Sequence, residues 1–468
     1  MEEDKFGFAH EDDIGEVVER FERMKKNNEN YFFDVSEFEA IIDFYLDTNN
    51  SSKAYDAADS AVHQHPHSVS IQLRQARVLL DRGRAVETLK ILKRLESIEP
   101  GNYEIYLTKG TALGMLGDVN GARKMFDQAL SVDNEETENI LYTITSILQN
   151  LNYYDLMIVY MQKLILLEPD FFSHFYDLAF AYEKVGNMEK AVEYYELYLH
   201  EEPFSDSAWY NLGIIHNKLG NFNEALKAYD YSLAINPQNT FALFNKANIL
   251  SNEERYKEAL DLYLEYLDLE PESSEAMTYV GECYEKTGKF DLAKRYFQDA
   301  IEILPDSPEP WFGMGVIAFT QGAYNDAVMI FGKCTRLDEQ NPEYYHMLAR
   351  SLFAAGRVKD SIKSLKKALI ADPFFDDAWI DLGSIIQETG TITKIQNYLI
   401  KAQKIVGDVP GLNYILSASY LTSNKVNEAI VTLKLALDVD SDLFEDFRAM
   451  FPAEKMNDEM KILINQSK

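Results

Sequence analysis

The sequence predicts an all-α solenoid of repeated helix–turn–helix units, and three observations predict it. Pro66, Pro100, Pro169, Pro203, Pro237, Pro271, Pro305 and Pro373 are spaced by 34, 69, 34, 34, 34, 34 and 68 residues, one or two periods of 34 with one extra residue. Trp209, Trp311 and Trp379, all the tryptophans of the chain, lie 102 and 68 residues apart and share a second phase of the same period. Within each 34-residue frame the apolar residues recur at helical spacing, and a fixed period of this length is the mark of stacked supersecondary units.

In this register twelve units begin at Val35, Val69, Tyr103, Glu138, Phe172, Asp206, Thr240, Ser274, Pro308, Pro342, Asp376 and Pro410, and the last ends at Leu443. Each reads as two helices, most clearly in residues 206–239. Trp209, Leu212, Gly213 and His216 stand at i, i+3, i+4 and i+7 on one face of a first helix. Gly220 and Asn221 end it, because glycine tolerates the left-handed conformation that closes a helix. Phe222, Ala225, Leu226, Tyr229, Leu233 and Ile235 form the apolar face of a second helix. Pro237 cannot continue that helix and disfavours it at Asn236.

The pattern resembles the tetratricopeptide repeat (TPR) family, which prefers a large residue at place 4, Leu at 7, Gly or Ala at 8, Ala at 20, an aromatic at 24 and Pro at 32. Place 8 holds Ala76, Gly110, Ala179, Gly213, Ala247, Gly281, Gly315, Ala349, Gly383 and Ser417; place 20 holds Ala54, Ala122, Ala191, Ala225, Ala259, Ala293, Ala327 and Ala429. Small residues where two helices cross allow their axes to approach to the near end of the usual 8–10 Å. The chain also resembles the long cytoplasmic arrays of bacteria, and the resemblance implies a right-handed superhelical solenoid with helical caps. Two units depart from the pattern: residues 138–171 carry Asn152 and Met157 in place of the usual Gly and Ala, and residues 376–409 carry Ile395 and Gly407 in place of Ala and Pro. Looser packing is expected in both.

The predicted organisation is therefore an N-terminal acidic segment and capping helix over 1–34, the array over 35–443 and C-terminal capping helices over 444–468. Ile14, Val17, Val18, Phe21 and Met24 mark a helix face in the first, with Asp12 or Asp13 as its cap. Phe444, Phe447, Met450 and Phe451 mark a short helix in the last, and Pro452 is expected to start another containing Met456, Met460 and Ile464. Terminal units need such caps because each repeat buries its faces only against neighbours. The first acidic residues also suit a docking tail.

Composition excludes several classes of function. With 45 basic and 77 acidic residues the net charge is −32, which repels nucleic acid and anionic lipid. No apolar run is long enough to span a membrane, the opening MEEDKFGFAHEDD lacks the features of a signal peptide, and two cysteines cannot form a disulfide framework. The expectation is a cytoplasmic protein. No phosphate-binding loop, dinucleotide fingerprint or HExxH motif is present, so neither catalysis nor a cofactor is expected. Cys283 and Cys334 fall in helices as small buried residues, and His63, His65 and His67 flank Pro66 in an ordinary exit turn, so no metal site is expected.

Function is expected on the first helices. If places 4, 7, 8 and 11 face the core, places 2, 5, 9 and 12 form another stripe, with 6 and 13 beside it; the family resemblance implies that this stripe lines a concave groove that takes a peptide or helix. In the middle units it holds Tyr176 and Phe180; Tyr210, Asn211, Ile214 and Asn217; Phe241, Phe244, Asn245, Asn248 and Asn252; Thr278 and Tyr279; and Phe312, Val316 and Phe319. Asparagine carries a donor and an acceptor for a backbone of any sequence, and aromatics give apolar area at low entropic cost. Family members that clamp a C-terminal carboxylate use Lys at place 5 and Asn at 9; no unit here has Lys at place 5, and Asn248 alone matches place 9. A basic island over residues 72–94 puts Arg74 and Arg77 at places 6 and 9, where they could receive a partner's carboxylate. The expected function is a non-catalytic scaffold or adaptor for one or more proteins. The alternatives are a chaperone-like holder of unfolded or nascent chains and a self-assembling solenoid.

Overall fold

A computed structural model describes residues 11–27, 29–132, 135–169, 171–390 and 392–466. Among them every regular element is helical. The chain divides into two compact units, at Ile235 and Asn236. The first contains α1 (Glu11–Asn27), α2 (Val35–Asp47), α3 (Ser51–Gln64), α4 (Val69–Asp81), α5 (Ala85–Ile98), α6 (Tyr103–Met115) and α7 (Val119–Val132). It continues with α8 (Thr137–Asn150), α9 (Tyr154–Leu167), α10 (Ser173–Lys184), α11 (Met188–Glu201), α12 (Asp206–Lys218) and α13 (Phe222–Ile235). The second contains α14 (Thr240–Asn252), α15 (Tyr256–Leu269), α16 (Ser274–Lys286), α17 (Phe290–Ile303), α18 (Pro308–Thr320), α19 (Tyr324–Leu337), α20 (Pro342–Ala354) and α21 (Val358–Ala371). It ends with α22 (Asp376–Glu388), α23 (Ile392–Val406), α24 (Pro410–Thr422), α25 (Val426–Val439), the short α26 (Phe444–Phe447) with a 3₁₀ turn over Arg448–Met450, and α27 (Asp458–Gln466). The architecture is an all-α repeat of paired helices.

Local chemistry sets the pairs. Ser68, Ser205 and Ser273, and Asn50, Asn102, Asn187, Asn239 and Asn341, accept a backbone N–H of the first turn that follows them. Pro308, Pro342 and Pro410 start α18, α20 and α24, where a missing N–H costs nothing. The turn inside each pair always puts place 15 in the left-handed region: glycine at Gly83, Gly117, Gly186, Gly220, Gly288, Gly322, Gly356 and Gly390, asparagine at Asn49, Asn152 and Asn424, and at φ 61° Glu254.

The two sequence phases meet in one hydrogen bond. The indole N–H of Trp209, Trp311 and Trp379 donates to the carbonyl of Pro203, Pro305 and Pro373, at 2.9, 3.2 and 2.8 Å. Tyr106 and Gln72, also at place 4, do the same to Pro100 and Pro66. The proline thus ends one helix and its carbonyl anchors the next.

Place 8 is small for a more specific reason than helix crossing. A methyl group on Gly110, Gly213, Gly281 or Gly315 would lie 2.4–2.6 Å from the ring of Phe126, Tyr229, Phe297 or Phe331, the aromatic at place 24 of the same unit. The ring of Phe297 is pinned from both sides, since a methyl group on Gly313 of α18 would lie 2.3 Å from it. Where place 20 is polar, it is satisfied: the hydroxyls of Thr88 and Ser361 donate to the carbonyls of Ala76 and Ala349 at place 8.

Two local expectations, on the capping of α1 and the start of α27, are corrected. Helix α1 takes in Asp12 and Asp13 instead of being capped by either, and the acidic residues 1–10 lie outside the described residues. In residues 138–171 Asn152 takes the left-handed turn at φ 59° and Met157 is buried with Tyr160, Met161 and Leu164, while α8 packs less extensively on α9 and on α7 than the helices of the consensus units pack on theirs, as expected. Helix α27 starts at Asp458, not Pro452, because Asn457 caps it through the N–H of Met460. In the C-terminal segment the apolar residues Phe444, Phe447, Met450, Phe451, Met460 and Ile464 are all buried.

That last segment rebuilds the unit over residues 376–409. Place 24 there is Leu399, and the residues facing Gly383 at place 8 are Phe447 and Met450; a methyl group on Gly383 would lie 3.1 Å from the first and 3.2 Å from the second. Tyr414 of α24 stacks on Phe447 with centroids 5.4 Å apart. Phe447 therefore lies between α22 and α24 as Phe297 lies between α16 and α18. Helix α23 packs on α24, and α26 packs on both α22 and α24. Helix α24 is consequently buried on nearly every face, from Pro410 to Ser419.

Candidate functional site

The aromatic and amide stripe is half-buried in both units and bonded within itself. In the first, Tyr176 packs edge-on against Tyr195 and Tyr198, and the side-chain amide of Asn211 donates to the hydroxyls of Tyr176 and Tyr195 at 2.9 and 3.2 Å. Phe180 meets Tyr154 edge-on and lies under the ammonium of Lys184. Tyr210 packs on Tyr229. Asn217, one turn further along α12, is exposed. In the second unit Phe244 is surrounded by Tyr263, Tyr266 and Tyr279, and Tyr279 stacks on Tyr263 at 11°. The Tyr263 hydroxyl donates to the Asn248 side-chain oxygen. Phe312 contacts Phe331 and Tyr344. Asn245 is half-buried, Asn252 is exposed, and Phe241 is 70% exposed.

The structure thus assigns these residues different capacities. Asn211 and Asn248 hold buried tyrosine hydroxyls, so each has only part of its amide facing outward. Burial pushes the Tyr195 and Tyr263 phenols up, which keeps them as neutral hydrogen-bond partners. Asn217, Phe241 and Asn252 are exposed.

The basic pair is engaged by the chain's own acids. Arg74 donates twice to Asp43, at 3.0 and 2.9 Å, and its third nitrogen lies 3.2 Å from Glu39. Arg77 lies 3.2 Å from Glu104. A partner carboxylate at Arg74 has to compete with two internal ones. Residues 357–367 are also rich in basic side chains; there Arg357 pairs with Asp360, and Lys366 and Lys367 lie over the rings of Tyr398 and Tyr345.

The same stripe also borders a cavity. Glu275, Thr278, Tyr279 and Glu282 of α16, with Leu304 and Glu309, line a cavity of about 410 Å³. The Glu282 carboxyl is pushed up to about 7, chiefly by burial, opposed by Lys286 and reinforced by Glu285 and Glu309. In a chain with 77 acidic residues nothing distinguishes this one by type; its position at place 9 is the signal that could have found it. The two thiols are buried, and burial raises Cys283 to about 11 and Cys334 to about 12. His65 bonds to the carbonyl of Phe33 at 2.7 Å. Among the described residues no cluster of His, Cys, Asp or Glu is placed to hold a metal ion, and no helix is long and apolar enough to cross a membrane.

Family models described as tetratricopeptide repeat match residues 175–201, 207–239, 244–308, 284–342 and 318–384. Tetratricopeptide repeats are thus present across residues 175–384. No curated protein matches the chain at a significant level. Among solved structures, it is similar to a tetratricopeptide repeat protein from Parabacteroides merdae, at 19% identity and a TM-score of 0.43, over 53% of this chain and 98% of that one. Yeast Tom70 is 14% identical with a TM-score of 0.42, over 92% and 98% of the two chains. YrrB, described as a TPR protein with an unusual peptide-binding site, is 21% identical with a TM-score of 0.33, over 39% and 95%. The TPR fold supports a protein-interaction scaffold.

Proposed function

We propose that this chain is a non-catalytic, cytoplasmic adaptor that holds a protein segment against the first-helix stripe of its repeats, over the array 35–443 flanked by 1–34 and 444–468. The observation that carries this reading is the exposure of Asn217, Phe241 and Asn252 on a stripe otherwise built of mutually packed aromatics. The packed rings, Tyr176, Phe180 and Tyr210 in one unit and Phe244, Tyr279 and Phe312 in the other, form a firm apolar floor. The exposed amides above it bond to a peptide backbone without regard to its sequence. Rigid aromatic surface and adaptable amides together hold an extended segment at low entropic cost. The acidic cavity around Glu282 favours a basic side chain in the segment bound to the second unit.

The test separates binding from folding. Asn217→Ala with Asn252→Ala touches exposed side chains alone, whereas changing Asn211 or Asn248 also strips a bond from a buried tyrosine. Two lost hydrogen bonds at about 0.5–1.5 kcal/mol each weaken a captured partner by roughly tenfold. Photocrosslinkers at positions 217 and 252 are expected to trap the same one or two proteins, while one at Lys227 on the second helix α13 does not. Equal crosslinking from all three positions, or a broad set of unfolded clients, replaces the adaptor with an outer-surface assembler or a chaperone-like holder.

A further inference from the structure

In the unit over 274–307 the space between the first helices α16 and α18 is filled by Phe297, from the unit's own second helix. In the unit over 376–409 the second helix brings only Leu399 to that place, and the space between α22 and α24 is filled from outside the repeat pattern, by residues 444–451. These present one face. Phe444, Phe447, Met450 and Phe451 point inward, at i, i+3, i+6 and i+7, while Glu445, Asp446, Arg448 and Ala449 are exposed. The ring contacts run from Phe447 and Phe444 to Tyr414, and from Phe444 to Phe451. The bond from α22 to the segment is from the Gln387 side-chain amide to the carbonyl of Ala449, at 2.8 Å, and a backbone carbonyl is available in any peptide.

We propose that the space between α22 and α24 is a binding site for a short helical segment with aromatics at i and i+3 and large apolar residues at i+6 and i+7. Residues 444–451 are its resident occupant, exchangeable for a partner segment of the same chemistry. The occupant is joined to the array on both sides: α25 precedes it, and α27 packs back on α25. It can leave the seat as a strap without releasing either helix. The apparent affinity of a second segment then equals its intrinsic affinity reduced by the fraction of molecules whose strap is out. This site is separate from the stripe of the middle repeats, and its probe does not depend on that reading.

The probe is a labelled synthetic peptide of residues 442–453, titrated into the full chain and read by fluorescence anisotropy. The wild-type chain is expected to bind it weakly. The Phe447→Ala chain, whose own strap has lost its central ring, is expected to bind it at least roughly tenfold more tightly, since its seat is open in a larger fraction of molecules. A peptide carrying the same Phe→Ala change is expected to lose that gain. A Phe447→Ala chain with unchanged circular dichroism that binds no better than wild type overturns the proposal and makes the segment a fixed cap. If Phe447→Ala lowers helicity throughout, a protease site inserted between Ser441 and Asp442 of the full chain decides instead. After cleavage of the folded protein, one-to-one uptake of the labelled peptide by native mass spectrometry upholds exchange, and no uptake overturns it.

Discussion

The units over 274–307 and 376–409 share a period, a register and a small residue at place 8, yet they fill the space beside it in opposite ways. Gly281 and Gly313 close on Phe297, from the unit's own second helix, while Gly383 and Tyr414 close on Phe447, 64 residues further along than Gly383. The lesson is that stacking two first helices leaves a slot of aromatic size, and the slot is filled even when the local sequence supplies only Leu399. A dense interior does not tolerate a void of that volume. The array is therefore local through most of its length, and long-range in its last two units.

The largest expected effect tests that equivalence. Phe297→Ala and Phe447→Ala each remove a buried ring and are expected to cost about 3–5 kcal/mol, the usual range for such truncations. Their reach differs: hydrogen exchange is expected to rise on both sides of α17 in the first variant, and only across α22, α24 and residues 444–466 in the second. Exchange changing only within α26 would show that Phe447 does not hold the two first helices together.

A smaller contrast lies in the glycines. Gly281→Ala forces a methyl group to 2.6 Å from a ring pinned on both faces. It is expected to cost about 1–3 kcal/mol of overpacking. At Gly383 the contact is 3.1 Å, and Met450 beside it is flexible. The roughly 1 kcal/mol gained by replacing a helical glycine offsets much of the cost there. Thermal melts of the two variants are expected to differ clearly; equal losses would mean that the two slots are equally tight.

The ordinary unit also carries a pH signature. The Glu282 carboxyl is raised from 4.5 to about 7, so between those values the folded chain keeps a proton that the unfolded chain has lost. Stability from this group is present at the acidic end and falls as pH rises through the window. Glu282→Gln is expected to remove that part of the slope and to stabilise α16 at about pH 8 relative to wild type, as read by urea denaturation across the window. Parallel curves for the two proteins would show that the carboxyl is solvated.

The smallest effect belongs to the turns. Glu254 is the one side chain other than asparagine in a left-handed conformation at place 15. That conformation costs roughly 1–2 kcal/mol for an ordinary residue, against about 0.5–1 kcal/mol of extra chain entropy for glycine. Glu254→Gly is expected to stabilise its unit by about 0.5–1 kcal/mol, visible as slower exchange at the α14–α15 turn. Unchanged or faster exchange there would refute a strained Glu254.

Much of the architecture was legible because its causes are short-range. The prolines and tryptophans share a period because the place-4 side chain bonds a proline carbonyl six residues earlier, as Trp209 does to Pro203. The stripe was legible as a set of positions. Its internal bonds were not, since Asn211 reaches back 35 residues to Tyr176 and only stacked repeats bring them together. Arg74 and Arg77 were visible as a basic pair, while the carboxylates of Asp43, Glu39 and Glu104 that engage them belong to neighbouring repeats.

By itself, the sequence determined the paired helices, their turns and their register. Steric limits on the backbone, capping bonds and helical spacing act over a few residues and repeat every 34. Only the tertiary structure decided that the strap over 444–451 completes the unit over 376–409, that Asn211 and Asn248 hold tyrosines, and that Glu282 stands in a cavity. The physical reason is that burial is non-directional. It rewards whichever apolar side chain or buried polar partner reaches a space, and which one reaches it depends on the packing of all the neighbouring helices at once.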